Sequence, residues 1–85
     1  MPQVARLGDA ISHGGVIVQG SPNVFVDGRP VARRGDKVVC ALHGPQTIIS
    51  ASSKVYANGL GVARIGDTTS CGATIISGSG KFQAG

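Results

Sequence analysis

The chain has 85 residues, a formal net charge of +4 and 14 glycines, but one tyrosine, two phenylalanines and no tryptophan. A chain of this length forms one domain with a small core, and such domains usually need a metal ion, disulfides or a partner subunit. The basic residues are dispersed and aromatic residues that could stack on bases are scarce, which argues against nucleic-acid binding. The sequence has neither a secretory leader nor an apolar run of about 18 residues, so we expect a protein that is made in the cytoplasm.

Short runs rich in Val and Ile, each bounded by turn-forming residues, predict five β-strands. In chain order these runs are 15–19, 23–26, 46–50, 54–57 and 73–77. The dipeptides Asp27-Gly28 and Asn58-Gly59 predict tight hairpin turns. Since no window keeps a helical period, we predict an all-β fold of short strands.

One motif, Ala-Arg-x-Gly-Asp, occurs three times and begins at Ala5, Ala32 and Ala63. We therefore predict a single domain over residues 1–85, made of three repeats at about 5–31, 32–62 and 63–85, of which the last is truncated. Three such units of one chain most simply pack around a pseudo-threefold axis. We expect the aspartate of each motif to close a turn by accepting backbone N–H bonds.

A histidine or cysteine follows each motif aspartate by four residues: His13, Cys40 and Cys71. The second histidine, His43, lies three residues after Cys40. Because equivalent positions meet near a common axis, we predict that these four side chains bind one Zn²⁺ ion. Four protein ligands leave no position for water, so the site should be structural. With both histidines committed to the metal, no base remains to activate a nucleophile, and we expect no enzymatic activity.

Other interpretations of these residues remain open from the sequence. Cys40 and Cys71 could be buried thiols or could form a disulfide, although a disulfide is uncommon in a protein made in a reducing compartment. His13 and His43 could be ordinary surface histidines. The common spacing of all four residues favours the metal site.

Over nearly its whole length the chain resembles the PAAR-repeat proteins. The stretch Arg29-Pro30-Val31-Ala32-Arg33 corresponds to the Pro-Ala-Ala-Arg motif with valine in place of the first alanine, and Gly61-Val62-Ala63-Arg64 lacks the proline as well. The His-Gly-Gly that follows the first motif and the Cys-Gly-Ala-Thr-Ile-Ile-Ser-Gly-Ser near the end also match the family pattern.

The resemblance implies a small cone of short strands with zinc near its vertex, held by His13, Cys40, His43 and Cys71. It implies a spike-tip protein that caps the trimeric VgrG-type spike of a type VI secretion system or a related contractile machine, with one chain per homotrimer. Such a tip sharpens the spike for piercing a target membrane without a transmembrane segment, carries effector or adaptor proteins, and is secreted by the machine into the target cell or the medium. We expect no fused effector domain in this chain.

A function of a different class stays open beside this one. The alternative is a free-standing zinc-binding module that binds nucleic acid or a regulatory protein. It would need an exposed basic face and would bind DNA in a strongly salt-dependent manner.

Overall fold

The computed structural model of the protein describes residues 2–84, and every regular element in that range is a β-strand. The prediction of an all-β fold is therefore confirmed. Met1 and Gly85, the two ends of the predicted 1–85 domain, lie outside the described residues. Residues 2–84 contain no helix with the length and apolar character needed to cross a bilayer. The strands are β1 (Val16–Ile17), β2 (Phe25–Val26), β3 (Arg29–Pro30), β4 (Lys37–Cys40), β5 (Gly44–Thr47), β6 (Tyr56–Ala57) and β7 (Leu60–Gly61).

The strands form one three-stranded antiparallel sheet and two short hairpins. The sheet has the order β1-β4-β5, with Val16 opposite Val39. The hairpins join β2 to β3 and β6 to β7. Asp27 and Asn58, in the turns of the hairpins, have φ values of 55° and 56°. This left-handed conformation is the one that the predicted Asp-Gly and Asn-Gly turns require.

Four of the five predicted runs overlap a strand, namely β1, β2, β5 and β6. The prediction of a strand at 73–77 is wrong. Thr74 forms an isolated bridge with Thr68, whereas the next residue, Ile75, forms one with Ile11. Successive residues of this run pair with different segments, so no continuous ladder develops.

A ring of backbone hydrogen bonds joins the first residues of the three motifs. The N–H of Ala32 donates to the carbonyl of Ala5 at 3.0 Å, that of Ala63 donates to Ala32 at 2.9 Å, and that of Ala5 donates to Ala63 at 2.9 Å. All three alanines are fully buried. Each motif therefore contacts both others at the same residue, as three units packed around one axis would.

Each motif then closes a turn through its aspartate. The Asp36 carboxylate accepts hydrogen bonds from the backbone N–H of Arg33 at 2.8 Å and from its Nε and Nη2 at 2.9 and 2.8 Å. Both other motifs repeat this arrangement, in the pairs Arg6–Asp9 and Arg64–Asp67. The expected role of the aspartate is confirmed, and each arginine adds an ion pair across the turn.

Asp9 has partners beyond its own motif. Nη2 of Arg29 lies 3.1 Å from its Oδ1, and the Ser77 hydroxyl donates to the same oxygen at 3.2 Å. Burial acts to raise the pKa of Asp9, but the hydrogen bonds from Arg6 and the charges of Arg6 and Arg29 outweigh it and hold the pKa below its ordinary value. Asp9 therefore stabilises the fold above the pKa of an unfolded-chain carboxyl, and this contribution is lost as the pH falls through the lowered folded-state pKa.

The buried apolar side chains form two clusters with no aromatic residue from the described part of the chain. The first consists of Ala5, Ile11, Ile17, Ala32, Val38, Cys40, Ile48, Ala63, Ala73 and Ile75. The second consists of Val4, Val26, Val31, Ala57, Val62 and Ala84. Phe25, Tyr56 and Phe82 are instead 56%, 59% and 49% exposed. The interior is thus filled by small and β-branched side chains, which limits the apolar area that folding removes from water.

The third repeat is completed by the start of the chain. The N–H of Val4 donates to the carbonyl of Phe82 at 2.9 Å, and the N–H of Ala84 donates to the carbonyl of Pro2 at 3.0 Å. Gln3 forms an antiparallel bridge with Gln83. This pairing corresponds to that of β2 with β3 and of β6 with β7. Residues 2–4 therefore supply the pairing segment that the truncated last repeat lacks.

We expect Asp36→Ala to lower the free energy of unfolding by about 3 kcal/mol, because it leaves the backbone N–H and the largely buried guanidinium of Arg33 without their carboxylate. Denaturant titration measures the change. The exposed Lys54→Ala is the control and should stay within about 0.5 kcal/mol of the unchanged protein. Equal stability of Asp36→Ala and the unchanged protein would contradict the role of the turn.

Candidate metal centre

The four predicted ligands lie on three loops that run from a motif aspartate to an isoleucine. In the first loop the N–H of Ile17 donates to the carbonyl of Asp9 at 2.9 Å, and the N–H of Gly8 donates to the carbonyl of Ile17 at 2.8 Å. The same pair of bonds closes the other two loops, so the loops span 9–17, 36–48 and 67–75. Because all three are anchored alike, the fourth residue after each aspartate falls at a corresponding place.

The middle loop is four residues longer than the other two, and its extra length belongs to the hairpin of β4 and β5. Cys40 pairs with Gly44 at the end of this hairpin, and the turn between them contains His43. The middle loop therefore supplies two of the predicted ligands, whereas each shorter loop supplies one.

Two glycines bring the first loop close to the second. A Cβ at Gly15 would clash with the backbone carbonyl of Val39, so this approach requires glycine. Gly14 has a φ of +79° and turns the chain directly after His13. The sequence His13-Gly14-Gly15 thereby places the imidazole beside Cys40.

The four side chains converge on one point. One ligand atom of each lies within 4.8 Å of those of the other three. Sγ of Cys40 is 3.4 Å from Nδ1 of His13 and 3.4 Å from Nδ1 of His43, and Sγ of Cys71 is 3.8 Å from Nδ1 of His13. The two imidazole rings are tilted by 48°, with centroids 5.5 Å apart. The structure thus brings together all four residues that the sequence pattern selects.

These separations suit a tetrahedral metal site. With metal–sulfur bonds of about 2.3 Å and metal–nitrogen bonds of about 2.0–2.1 Å, tetrahedral angles place sulfur and nitrogen ligands roughly 3.5 Å apart. The sulfur–nitrogen distances here are 3.4, 3.4 and 3.8 Å. The cluster could therefore hold a metal ion with little rearrangement.

The cluster extends from the core to the surface. Cys40 is buried within the first hydrophobic cluster, His13 and Cys71 are half-buried, and His43 is exposed. Leu42, in the same turn as His43, is 72% exposed. A metal ion here would be anchored to the core through Cys40 and would meet solvent on the side of His43.

Both cysteines are free thiols in the structure, which contradicts the alternative of a disulfide. The Thr69 hydroxyl lies 3.2 Å from Sγ of Cys71 and is the main reason that the pKa of Cys71 falls from 9.0 to about 6. Burial opposes this shift, while Ala73, Cys40 and His13 add to it. The contact with Thr69 thus favours the thiolate form of Cys71, which is the form that binds metals. Sequence reasoning missed Thr69.

Comparison with known proteins identifies one family. A family model described as "PAAR motif" matches residues 7–77. The matched range contains the whole His/Cys cluster, from His13 to Cys71. No curated protein sequence shows a significant match to the chain.

Replacing both Cys40 and Cys71 by serine should lower the melting temperature sharply when metal is present. A ligand at a thousand times its dissociation constant stabilises by about 4 kcal/mol, which corresponds to roughly 15–30 °C for a domain of this size. Thermal unfolding should be measured with added Zn²⁺ and again with excess chelator, where the two proteins should differ much less. A difference that is the same in both conditions would mean that the cysteines act only through packing.

Proposed function

The chain belongs to the PAAR-motif family, and on that premise we propose that it is a structural spike-tip protein of a type VI secretion system or a related contractile machine. In this proposal one chain caps a homotrimeric VgrG-type spike and narrows it to a point. The protein is made in the cytoplasm, is secreted with the spike, and performs no catalytic step. The match over residues 7–77 is the observation that carries the proposal.

The recurring contacts support the match between one chain and a trimer. A symmetric trimer presents three identical surfaces around its axis, so a single cap fits only if it offers three similar faces. The ring formed by Ala5, Ala32 and Ala63 and the three Arg–Asp turns repeat the same contacts once per motif. Each motif can then face one subunit of the spike.

Exposed apolar side chains support a docking surface on the part of the molecule built around the second hydrophobic cluster. Val24, Val55 and Phe82 occupy corresponding positions, since the N–H of each donates to the hydroxyl of the serine three residues earlier. Their exposed fractions are 38%, 39% and 49%. A contiguous exposed apolar patch marks an interaction site, and the repetition of this position in every unit supports such a patch. We propose that the base of the cap includes these residues together with Phe25 and Tyr56.

The membership of the two hydrophobic clusters supports a separation of this base from the His/Cys site. Val26 and Ala57, next to the exposed aromatic residues, belong to the second cluster, whereas Cys40 belongs to the first. We propose that the first cluster leads to the vertex of the cap and the second to its base.

We propose that the cluster of His13, Cys40, His43 and Cys71 binds one structural Zn²⁺ ion. Two thiolates and two imidazoles are a donor set typical of tetrahedral zinc, and four protein ligands leave no position for a reactive water. The ion would join all three loops in a domain whose core holds no aromatic side chain from residues 2–84. Because structural zinc can contribute much of the folding free energy of a small domain, it would stiffen the tip that first meets the target membrane.

The net charge of +4 is the one observation in favour of the alternative, a zinc module that binds nucleic acid or a regulatory protein. Four of the eight basic side chains form ion pairs with aspartates, namely Arg6, Arg29, Arg33 and Arg64, and all of these except Arg29 are at most 21% exposed. Their charges are largely neutralised locally, which leaves less basic surface for phosphates. Tight, salt-dependent DNA binding would favour the alternative.

The purified protein should contain about one zinc ion per chain by elemental analysis. The double variant Cys40→Ser with Cys71→Ser should contain little or none. Protein that stays free of metal after incubation with Zn²⁺ would overturn the proposed site.

Mixed with its cognate spike trimer, the protein should form a complex of one chain per three spike subunits, as measured by light scattering or native mass spectrometry. Phe25→Asp should weaken the complex because it places a charge in the proposed base. Leu42→Asp should not, although Leu42 is the more exposed of the two, at 72% against 56%, and lies beside the His/Cys cluster. A complex of three chains per trimer, or equal effects of the two variants, would contradict capping.

A further inference from the structure

The residue two positions after the motif aspartate differs in side-chain type among the three motifs. Ile11, Val38 and Thr69 each lie two residues after a motif aspartate and two residues before a member of the His/Cys cluster. All three side chains are fully buried. Two of the positions are aliphatic, so the third motif departs from the pattern by placing a hydroxyl where the others place only hydrocarbon.

A hydroxyl in such a place needs a partner, since a buried polar group without one costs about 1–3 kcal/mol. Oγ1 of Thr69 has two neighbours: Sγ of Cys71 at 3.2 Å and the carbonyl oxygen of Ala73 at 3.5 Å. The contact with sulfur is well within the usual range, whereas the one with the carbonyl is at its long limit. The sulfur is thus the better partner.

Backbone hydrogen bonds hold the turn that carries this hydroxyl. The N–H of Thr69 donates to the carbonyl of Ala73 at 2.9 Å, and the N–H of Gly72 donates to the carbonyl of Thr69 at 3.0 Å. These bonds close the tight turn that contains Cys71. The hydroxyl and the sulfur therefore belong to the same tight turn.

We propose that Thr69 is a positioning residue of the metal site, whose hydroxyl donates a hydrogen bond to the metal-bound thiolate of Cys71. The inference rests on the proposed metal binding and adds a specific role to a residue outside the ligand set. A thiolate accepts hydrogen bonds but cannot donate them, so the hydroxyl of Thr69 is the donor in its contact with the metal-bound sulfur. The bond orients the sulfur and stabilises its negative charge, as partners around metal ligands commonly do.

The two thiolates would then differ in character. Cys40 has Val38 at the position that Thr69 occupies relative to Cys71, so the hydroxyl contact is specific to the third motif. Cys71 of the third motif is thus the more exposed ligand and has a hydroxyl beside its sulfur, whereas Cys40 of the second motif is buried.

The test is the affinity of the full chain for Zn²⁺, measured by competition with a chromophoric chelator, together with the sulfur-to-metal charge-transfer band of the Co²⁺-loaded protein. Thr69→Val replaces the hydroxyl by a methyl group of nearly the same size, and we expect it to weaken zinc binding about tenfold or more. It should also shift the cobalt charge-transfer band, which a change confined to packing would leave in place. Thr69→Ser keeps the hydroxyl and should restore both measurements. Thr68→Val is the matched control, since it makes the same change one residue away.

Thermal unfolding in excess chelator separates the hydrogen bond from packing. Thr69→Val should melt like the unchanged protein there, because its shape is kept. If Thr69→Val melts at a lower temperature there, Thr69→Ser should be compared with Thr69→Ala instead. Both variants lose the methyl group, and only Thr69→Ser keeps the hydroxyl.

Equal zinc affinity of Thr69→Val and the unchanged protein would overturn the inference and leave the metal site intact. Equal losses in Thr69→Val and Thr69→Ser would also overturn it, because the side-chain shape and not the hydroxyl would then matter. Failure of the unchanged protein to bind Zn²⁺ or Co²⁺ would instead overturn the metal site itself.

Discussion

The closed ring of backbone hydrogen bonds among Ala5, Ala32 and Ala63 is the contact on which the remaining structure depends. Three chain segments can approach this closely only if their side chains are small, and each of these residues is a fully buried alanine. The Arg–Asp turns follow directly, and the loops that carry the His/Cys cluster begin at the aspartates of those turns. The position of each ligand is therefore set, a few residues earlier, by the same ring.

The hydrophobic core around this ring is small. Its interior is lined by alanine, valine and isoleucine, and the larger side chains Phe25, Tyr56 and Phe82 are about half exposed. A metal ion bound by residues from all three loops would add a second link between the three motifs, at the His/Cys cluster. A small core and a metal site would be complementary features, since a bound metal ion would supply stability that large buried side chains give in other small domains.

The His/Cys cluster could be predicted from the sequence because its members share one spacing from the Gly-Asp turn. Cys40 and Cys71 could be assigned to a metal site only because His13 shares their spacing from a motif aspartate. A single cysteine would not indicate a metal site. The role of Pro2-Gln3-Val4 could not be predicted, because three residues are too few to show a strand pattern and their partners lie at the opposite end of the chain. Thr69 was equally hidden, since a threonine two residues before a cysteine is ordinary in any β-rich sequence. Only the packing shows that its hydroxyl is buried beside sulfur.

The pairing of residues 2–4 with 82–84 has a consequence for the connectivity of the fold. The hydrogen bond from Ala84 to Pro2 places the two extremities of the described chain side by side, at 3.0 Å between donor and acceptor atoms. A circular permutant opened at the Asp27 or Asn58 turn would then keep the cyclic order of the three motifs and the same neighbours around the ring. Closure between the first and last segments also spans nearly the full sequence, so it has a larger loop-closure entropy cost than either hairpin.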